Sequence, residues 1–181
     1  MRNIPTSFLK IFRRASSEKA FTLLEVLLYF AIASTLVVLM GVTLSAVLQA
    51  RVKAQAIADV DEAGAAAMQV ITQNLRNAQS ITSPAAGASS STLIIQTYSS
   101  GSPTIFNISG GALQIQENGG LPVSLTTDTV AISGLNFTNL SRPNTPGTIR
   151  VQFTASRVNP LSKKEFSYTQ TFYGTGTLRQ P

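Results

Sequence analysis

Cysteine and histidine are both absent from this 181-residue chain. Their absence removes the usual zinc ligands, the thiol nucleophile, the imidazole base and any disulfide, so an enzyme built here would have only carboxylate or serine chemistry. Charge is scarce too: Asp, Glu, Lys and Arg make up 12% of the residues against 44% hydrophobic ones. That balance is too apolar for a disordered chain; it is one domain's worth of folding material, part of it apolar enough to meet lipid. Beyond residue 80 the only acids are Glu117, Asp128 and Glu165. They are too dispersed for a paired-carboxylate site unless the fold assembles one, and no Asp/Asn cluster of the calcium-loop kind occurs. The stretches SSST and SGSPT have no neighbouring base, and Gly110-Gly111 and Gly119-Gly120 lack the Lys and helix start of a phosphate loop. No catalytic residue, metal site or cofactor is expected.

The net charge of +6 is unevenly spread. Residues 1–20 carry Arg2, Lys10, Arg13, Arg14 and Lys19 against Glu18, a net of +4. Residues 142–181 carry Arg142, Arg150, Arg157, Lys163, Lys164 and Arg179 against Glu165, a net of +5. Arg150, Arg157, Lys163 and Lys164 are the candidate anion-binding set, for DNA, acidic glycans or an acidic sister subunit. A solvated sheet face whose charges discourage edge pairing accounts for the same residues. No aromatic ladder alternates with these cations, which weighs against nucleic acid.

Charge is missing altogether from Val26 to Ala50, 25 residues without Asp, Glu, Lys or Arg. As a helix this run rises roughly 37 Å, enough to cross a hydrocarbon core of about 30 Å. The five cations before it, against Arg51 and Lys53 after it, predict a single-pass protein of the cytoplasmic membrane. The N-terminus is then cytoplasmic and everything after residue 50 lies outside. Ala54-Gln55-Ala56 has the form of a signal-peptidase site, but the run exceeds a signal h-region and Arg51 and Lys53 intervene. Glu25, at the head of the run, costs up to about 3 kcal/mol in the membrane centre and less at the interface. Such a cost is tolerated beside a cation. A cut between Ala20 and Phe21 would create an α-ammonium four residues, one helical turn, before Glu25.

A basic leader, a small residue and then FTLLEVLL, with an acid fifth after the cut, resembles the class III signal of type IV prepilins and type II secretion pseudopilins. In this sequence Ala20 stands where that family usually has Gly. The resemblance implies cleavage at Ala20/Phe21 by a prepilin peptidase, N-methylation of Phe21, and pairing of Glu25 with the terminal amine of a neighbouring subunit during assembly. The apolar helix would be first a membrane anchor and then filament core. Implied partners are the peptidase/methyltransferase, sister pilin or pseudopilin subunits and, indirectly, the assembly platform and its ATPase.

Past the anchor, Ile57, Val60, Gly64, Ala67, Ile71, Leu75 and Ala78 recur at steps of three and four, predicting an amphipathic helical half over 51–80. Arg51, Lys53, Asp59, Asp61, Glu62, Gln69, Gln73, Asn74 and Arg76 then face water or other subunits. SITSPAAGASSS ends the helix, with a linker over 81–91. From 92 to 181 the short runs TLIIQTY, TIFNIS, ALQIQ, PVSLT, TVAIS, LNFTNL, TIRVQFTA and EFSYTQTFY predict a β-rich head. Turns are expected at Gly110-Gly111, Asn118-Gly119-Gly120 and 143–147. The expected class is α+β: a long N-terminal helix, transmembrane over 21–50, packed on a mainly antiparallel β-sheet. The family resemblance implies the same architecture. MQVITQNLRNAQSI is similar to the region after the anchor in J-type minor pseudopilins and related minor pilins. The implied role is a structural minor subunit of a type II secretion pseudopilus, a type IV pilus or a DNA-uptake pilus; a signal-anchored surface binding protein is the alternative.

Overall fold

The computed structural model describes residues 22–97 and 103–179. The chain divides into two compact units between Leu44 and Ser45. One helix, α1 (Leu23–Arg76), contributes to both.

In the first unit the side chains of α1 stand almost wholly exposed, Leu27, Phe30, Val37 and Met40 among them. Its few hydroxyls turn back onto the backbone. Ser34 and Thr35 donate to the Ala31 carbonyl at 3.0 and 2.8 Å, and Thr43 donates to the Met40 carbonyl at 2.9 Å. Polar groups satisfied within one helix enter hydrocarbon at much lower cost than unpaired ones. Among the described residues this is the one helix long and apolar enough to cross a membrane, its best window having a mean hydropathy of 2.3.

In the second unit the remainder of α1 packs on antiparallel sheets. One has the order β1 (Ala78–Ser83), β3 (Leu93–Thr97), β4 (Thr104–Ser109), β5 (Ala112–Gln116), β6 (Val123–Ser124). The other has the order β2 (Ser89–Ser90), β7 (Val130–Asn139), β8 (Thr148–Arg157), β9 (Thr169–Thr177). The α+β class is as expected, with two sheets where one was anticipated. Both contribute to a single core, Leu93, Ile95, Phe106 and Leu113 from the first and Phe137, Ile149, Val151 and Phe153 from the second.

Period-two alternation sets the inner face of β8: Ile149, Val151, Phe153 and Ala155 are buried. Pairing with β9 puts Gly176, Gly174 and Phe172 opposite the first three of these. The helix meets that face through its stripe of Ala56, Val60, Gly64, Ala67, Ile71 and Leu75. Ala56, not Ile57, begins the buried series. Contact is close along three rungs. A methyl on Gly64 would lie 2.2 Å from the Phe172 ring, one on Gly174 would lie 2.3 Å from Met68 Sδ, and one on Gly176 would lie 2.6 Å from Leu75 Cδ1. Phe172 also stacks on Phe153, ring centres 5.4 Å apart. These rungs order the unit: β8 starts beside Leu75 and ends beside the earlier turns of α1.

Several boundaries differ from the sequence expectation. The helix stops at Arg76, because Ala78 pairs with Thr97 and is buried as part of β1. The Arg179 amide donates to the released Arg76 carbonyl at 3.3 Å. The expected linker 81–91 holds the end of β1 and all of β2, Ser89 pairing with Thr138. It is fastened by buried Asn139, whose Nδ2 donates to the Pro84 carbonyl at 2.7 Å and whose amide donates to the Ala88 carbonyl at 2.9 Å. TVAIS and LNFTNL fuse into β7 through a bulge at Gly134, where φ is +61°. In EFSYTQTFY, residues Lys164–Phe166 form a 3-10 turn and the strand begins at Thr169. The Gly110-Gly111 turn is as expected: both residues have positive φ and link the Ser109–Ala112 pair.

Gly64→Ala should destabilise the protein by about 1–3 kcal/mol despite the better helix propensity of Ala, since the new methyl overpacks Phe172. Denaturant unfolding in detergent measures it, and Phe172→Leu added to Gly64→Ala is expected to recover part of the loss.

Candidate functional site

Glu25 lies in the first turn of α1. Thr22 immediately precedes the helix, and its Oγ1 accepts a hydrogen bond from the Glu25 amide at 3.3 Å. This is one half of a capping box, in which Ser or Thr before a helix satisfies the amide three residues on. The sequence signal for it is TLLE, a T-x-x-E pattern ahead of an apolar run. One turn later the Tyr29 hydroxyl donates to Glu25 Oε1 at 3.1 Å. Thr22 thus caps the Glu25 backbone while Tyr29 alone holds the carboxylate, at the end of the helix where its dipole favours negative charge. Among the described residues no Lys or Arg forms an ion pair with it. The arrangement presents a fixed anion at the head of the uncharged run over 26–50, open to a cation brought from elsewhere. The proposed cut at Ala20/Phe21 lies outside the described residues.

The basic set is not brought together. Arg150 stands exposed on the outer face of β8 between Thr138 and Thr175. Seven residues separate it from Arg157 along the strand, about 23 Å. Arg157 is withdrawn from the expected anion-binding set: its Nη1 donates to Asp59 Oδ2 of α1. The same contact corrects the expectation that Asp59 faces water. The pair lines a groove of about 490 Å³ between α1 and the 125–129 segment, together with Glu62, Thr127 and Thr129. No group of three or more His, Cys, Asp or Glu suited to a metal occurs among the described residues. Lys163 and Lys164 are exposed in the connection from β8 to β9. Nearby, partial burial and then the Asp61 carboxylate, 3.5 Å from the hydroxyl, raise the Tyr168 phenol above its ordinary pKa.

Comparison of the chain with protein-family models, with curated proteins and with solved structures gives no match in any of the three. The prepilin resemblance therefore stands on the leader, the Ala20/Phe21 step, Glu25 and the uncharged run.

Thr22→Ala should remove the cap, worth about 1 kcal/mol, and speed exchange of the Glu25 amide roughly fivefold by hydrogen-exchange NMR. A double-mutant cycle of Asp59→Asn and Arg157→Gln, read by denaturant unfolding, should give a coupling of about 1 kcal/mol for this partly shielded pair.

Proposed function

We propose that the chain is a structural subunit of a type IV pilin-like filament. It is made as a precursor with a cytoplasmic N-terminus, anchored by residues 21–50, and cut at Ala20/Phe21. Phe21 is then N-methylated, and the processed chain is assembled with sister subunits into a secretion pseudopilus or a pilus. In this reading it catalyses nothing and is itself the substrate of the peptidase/methyltransferase.

The observation that carries the reading is the Glu25 carboxylate, which accepts from the Tyr29 hydroxyl on a backbone capped by Thr22, yet has no cation beside it among the described residues. An anion in a lipid-facing position is expensive unless it is paired. Cleavage before Phe21 supplies an ammonium group four residues before Glu25 in the sequence, and stacking of helices in a filament lets one subunit's terminus meet another's Glu25. The apolar surface of residues 22–44 suits burial by lipid first and by neighbouring helices afterwards.

A signal-anchored surface binding protein is the second reading. It is favoured by the outer face of β8 and β9, where Arg150, Gln152 and Thr154 stand beside Thr171, Tyr173 and Thr175. Tyr173 is 68% exposed there, a ring with no neighbour covering it.

N-terminal sequencing and intact mass of membrane-extracted protein separate the two. With a co-expressed prepilin peptidase the expected terminus is Phe21 carrying one methyl group, and without it the full leader. Glu25→Ala is expected to be cleaved and to stay in the membrane but to enter filaments poorly. A terminus that remains uncut in the presence of the peptidase would leave only the anchored binding protein.

A further inference from the structure

The connection from β8 to β9 is ordered by its own side chain. Asn159 Nδ2 donates to the Lys163 carbonyl at 2.6 Å, its Oδ1 accepts the Lys163 amide at 3.0 Å, and its carbonyl accepts the Ser162 amide at 3.1 Å. What this closed loop displays is Leu161, 73% exposed, with Lys163 and Lys164 beside it and Val158 43% exposed at its base. A leucine held outward on a fixed loop gains nothing from water; its burial against an apolar phase is worth on the order of 2 kcal/mol on transfer scales.

The position of the loop says which phase that is. β8 starts beside Leu75 and ends at Arg157, which is clasped to Asp59. The loop follows Arg157, and so it lies at the end of the second unit where α1 comes in from Arg51 and Lys53. The rise from Arg51 to Asp59 is about 12 Å. The four residues from Val158 to Leu161 would reach about 13 Å only if fully extended; the turn closed at Asn159 shortens that reach, and the headgroup layer, roughly 5–8 Å deep, spans the remainder. Asp59 is engaged by Arg157 and Asp61 accepts from the Tyr168 hydroxyl. Glu165, next after Lys164 in the sequence, offsets one of the two lysine charges, and Asp128 adjoins Thr129, whose carbonyl accepts the Val158 amide. Two exposed lysines following a protruding leucine complement a surface that is anionic above and apolar below.

We propose that the 158–164 loop docks on the outer surface of the bilayer in which the chain is anchored, Leu161 entering the headgroup–acyl boundary and Lys163 and Lys164 binding anionic phospholipid headgroups. The inference rests on the membrane-anchor reading of residues 21–50. Docking of this kind gives the anchored precursor a second foothold, one that must be released when the subunit leaves the membrane.

The sequence contains no tryptophan, so each single-tryptophan variant reports on one position. Full-length protein carrying Leu161→Trp, Leu140→Trp or Val37→Trp is reconstituted in phosphatidylcholine bilayers with or without phosphatidylglycerol, and with or without brominated acyl chains. Val37→Trp is expected to be quenched by bromolipid in every bilayer and Leu140→Trp, at the far end of β7, in none. Leu161→Trp should shift to the blue and be quenched with phosphatidylglycerol. Adding Lys163→Gln or Lys164→Gln should lower its docked-to-undocked ratio about fivefold per lysine, the equivalent of ~1 kcal/mol each. Leu161→Trp unquenched beside a quenched Val37→Trp overturns the loop proposal and leaves the anchor standing. A blue-shifted but unquenched Leu161→Trp places the residue against protein and overturns it equally. Val37→Trp unquenched overturns the anchor itself, and the loop proposal with it.

Discussion

The second unit depends on how closely α1 approaches β9. Gly64 has no side chain to hold the helix off, so the Phe172 ring lies directly on the helix backbone. On the next rungs Gly174 and Gly176 play the same part from the strand side, receiving Met68 and Leu75. Removing a Cβ at each rung lets large side chains from the opposite element fill the gap, and interiors are packed densely enough for that substitution to matter. Phe172 carries the contact onward to Phe153, and Phe153 belongs to the inner row of β8 that closes the core with Phe137 and the first sheet.

That approach fixes direction as well as distance. Because Leu75 sits at Gly176 and Gly64 at Phe172, β8 and β9 are aligned with α1 turn by turn. The end of β8 then falls at Asp59, where Arg157 reaches the carboxylate, and Tyr168 on the return arm falls beside Asp61. The polar contacts here follow from the apolar ones: a partly exposed ion pair contributes little stability by itself but tolerates only one register. The placement of the loop bearing Leu161 and the two lysines is a consequence of the same alignment.

The first unit is governed by a different requirement. Its helix has no core to join, so each polar group must be satisfied inside the helix, as Ser34, Thr35 and Thr43 are by backbone carbonyls. Glu25 is the exception that carries chemistry. Tyr29 holds its carboxylate and Thr22 caps its backbone, and neither neutralises the charge.

Much was legible without coordinates where the cause is local. The uncharged run from Val26 to Ala50, the helical stripe from Val60 to Leu75, the alternation of β8 and the Gly110-Gly111 turn all follow from periodicity and backbone preference, and each formed where it was expected. The acid at Glu25 stands out because one charge in an apolar run is visible in any sequence; its cap by Thr22 is equally local and is carried by the T-x-x-E pattern. What depended on pairing across the chain was not readable. Ala78 fits a helical stripe as well as a strand until Thr97 is opposite it, and SITSPAAGASSS reads as linker until Thr138 and Asn139 offer it partners. Arg157 looked like a member of a basic patch because sequence distance says nothing of Asp59, 98 residues earlier. Composition and periodicity by themselves determined the membrane-length helix, the helical stripe and the alternating strands such as β8. Only tertiary structure decided where the helix stops, how many sheets form and which charges are engaged, because those outcomes depend on partners supplied by remote parts of the chain.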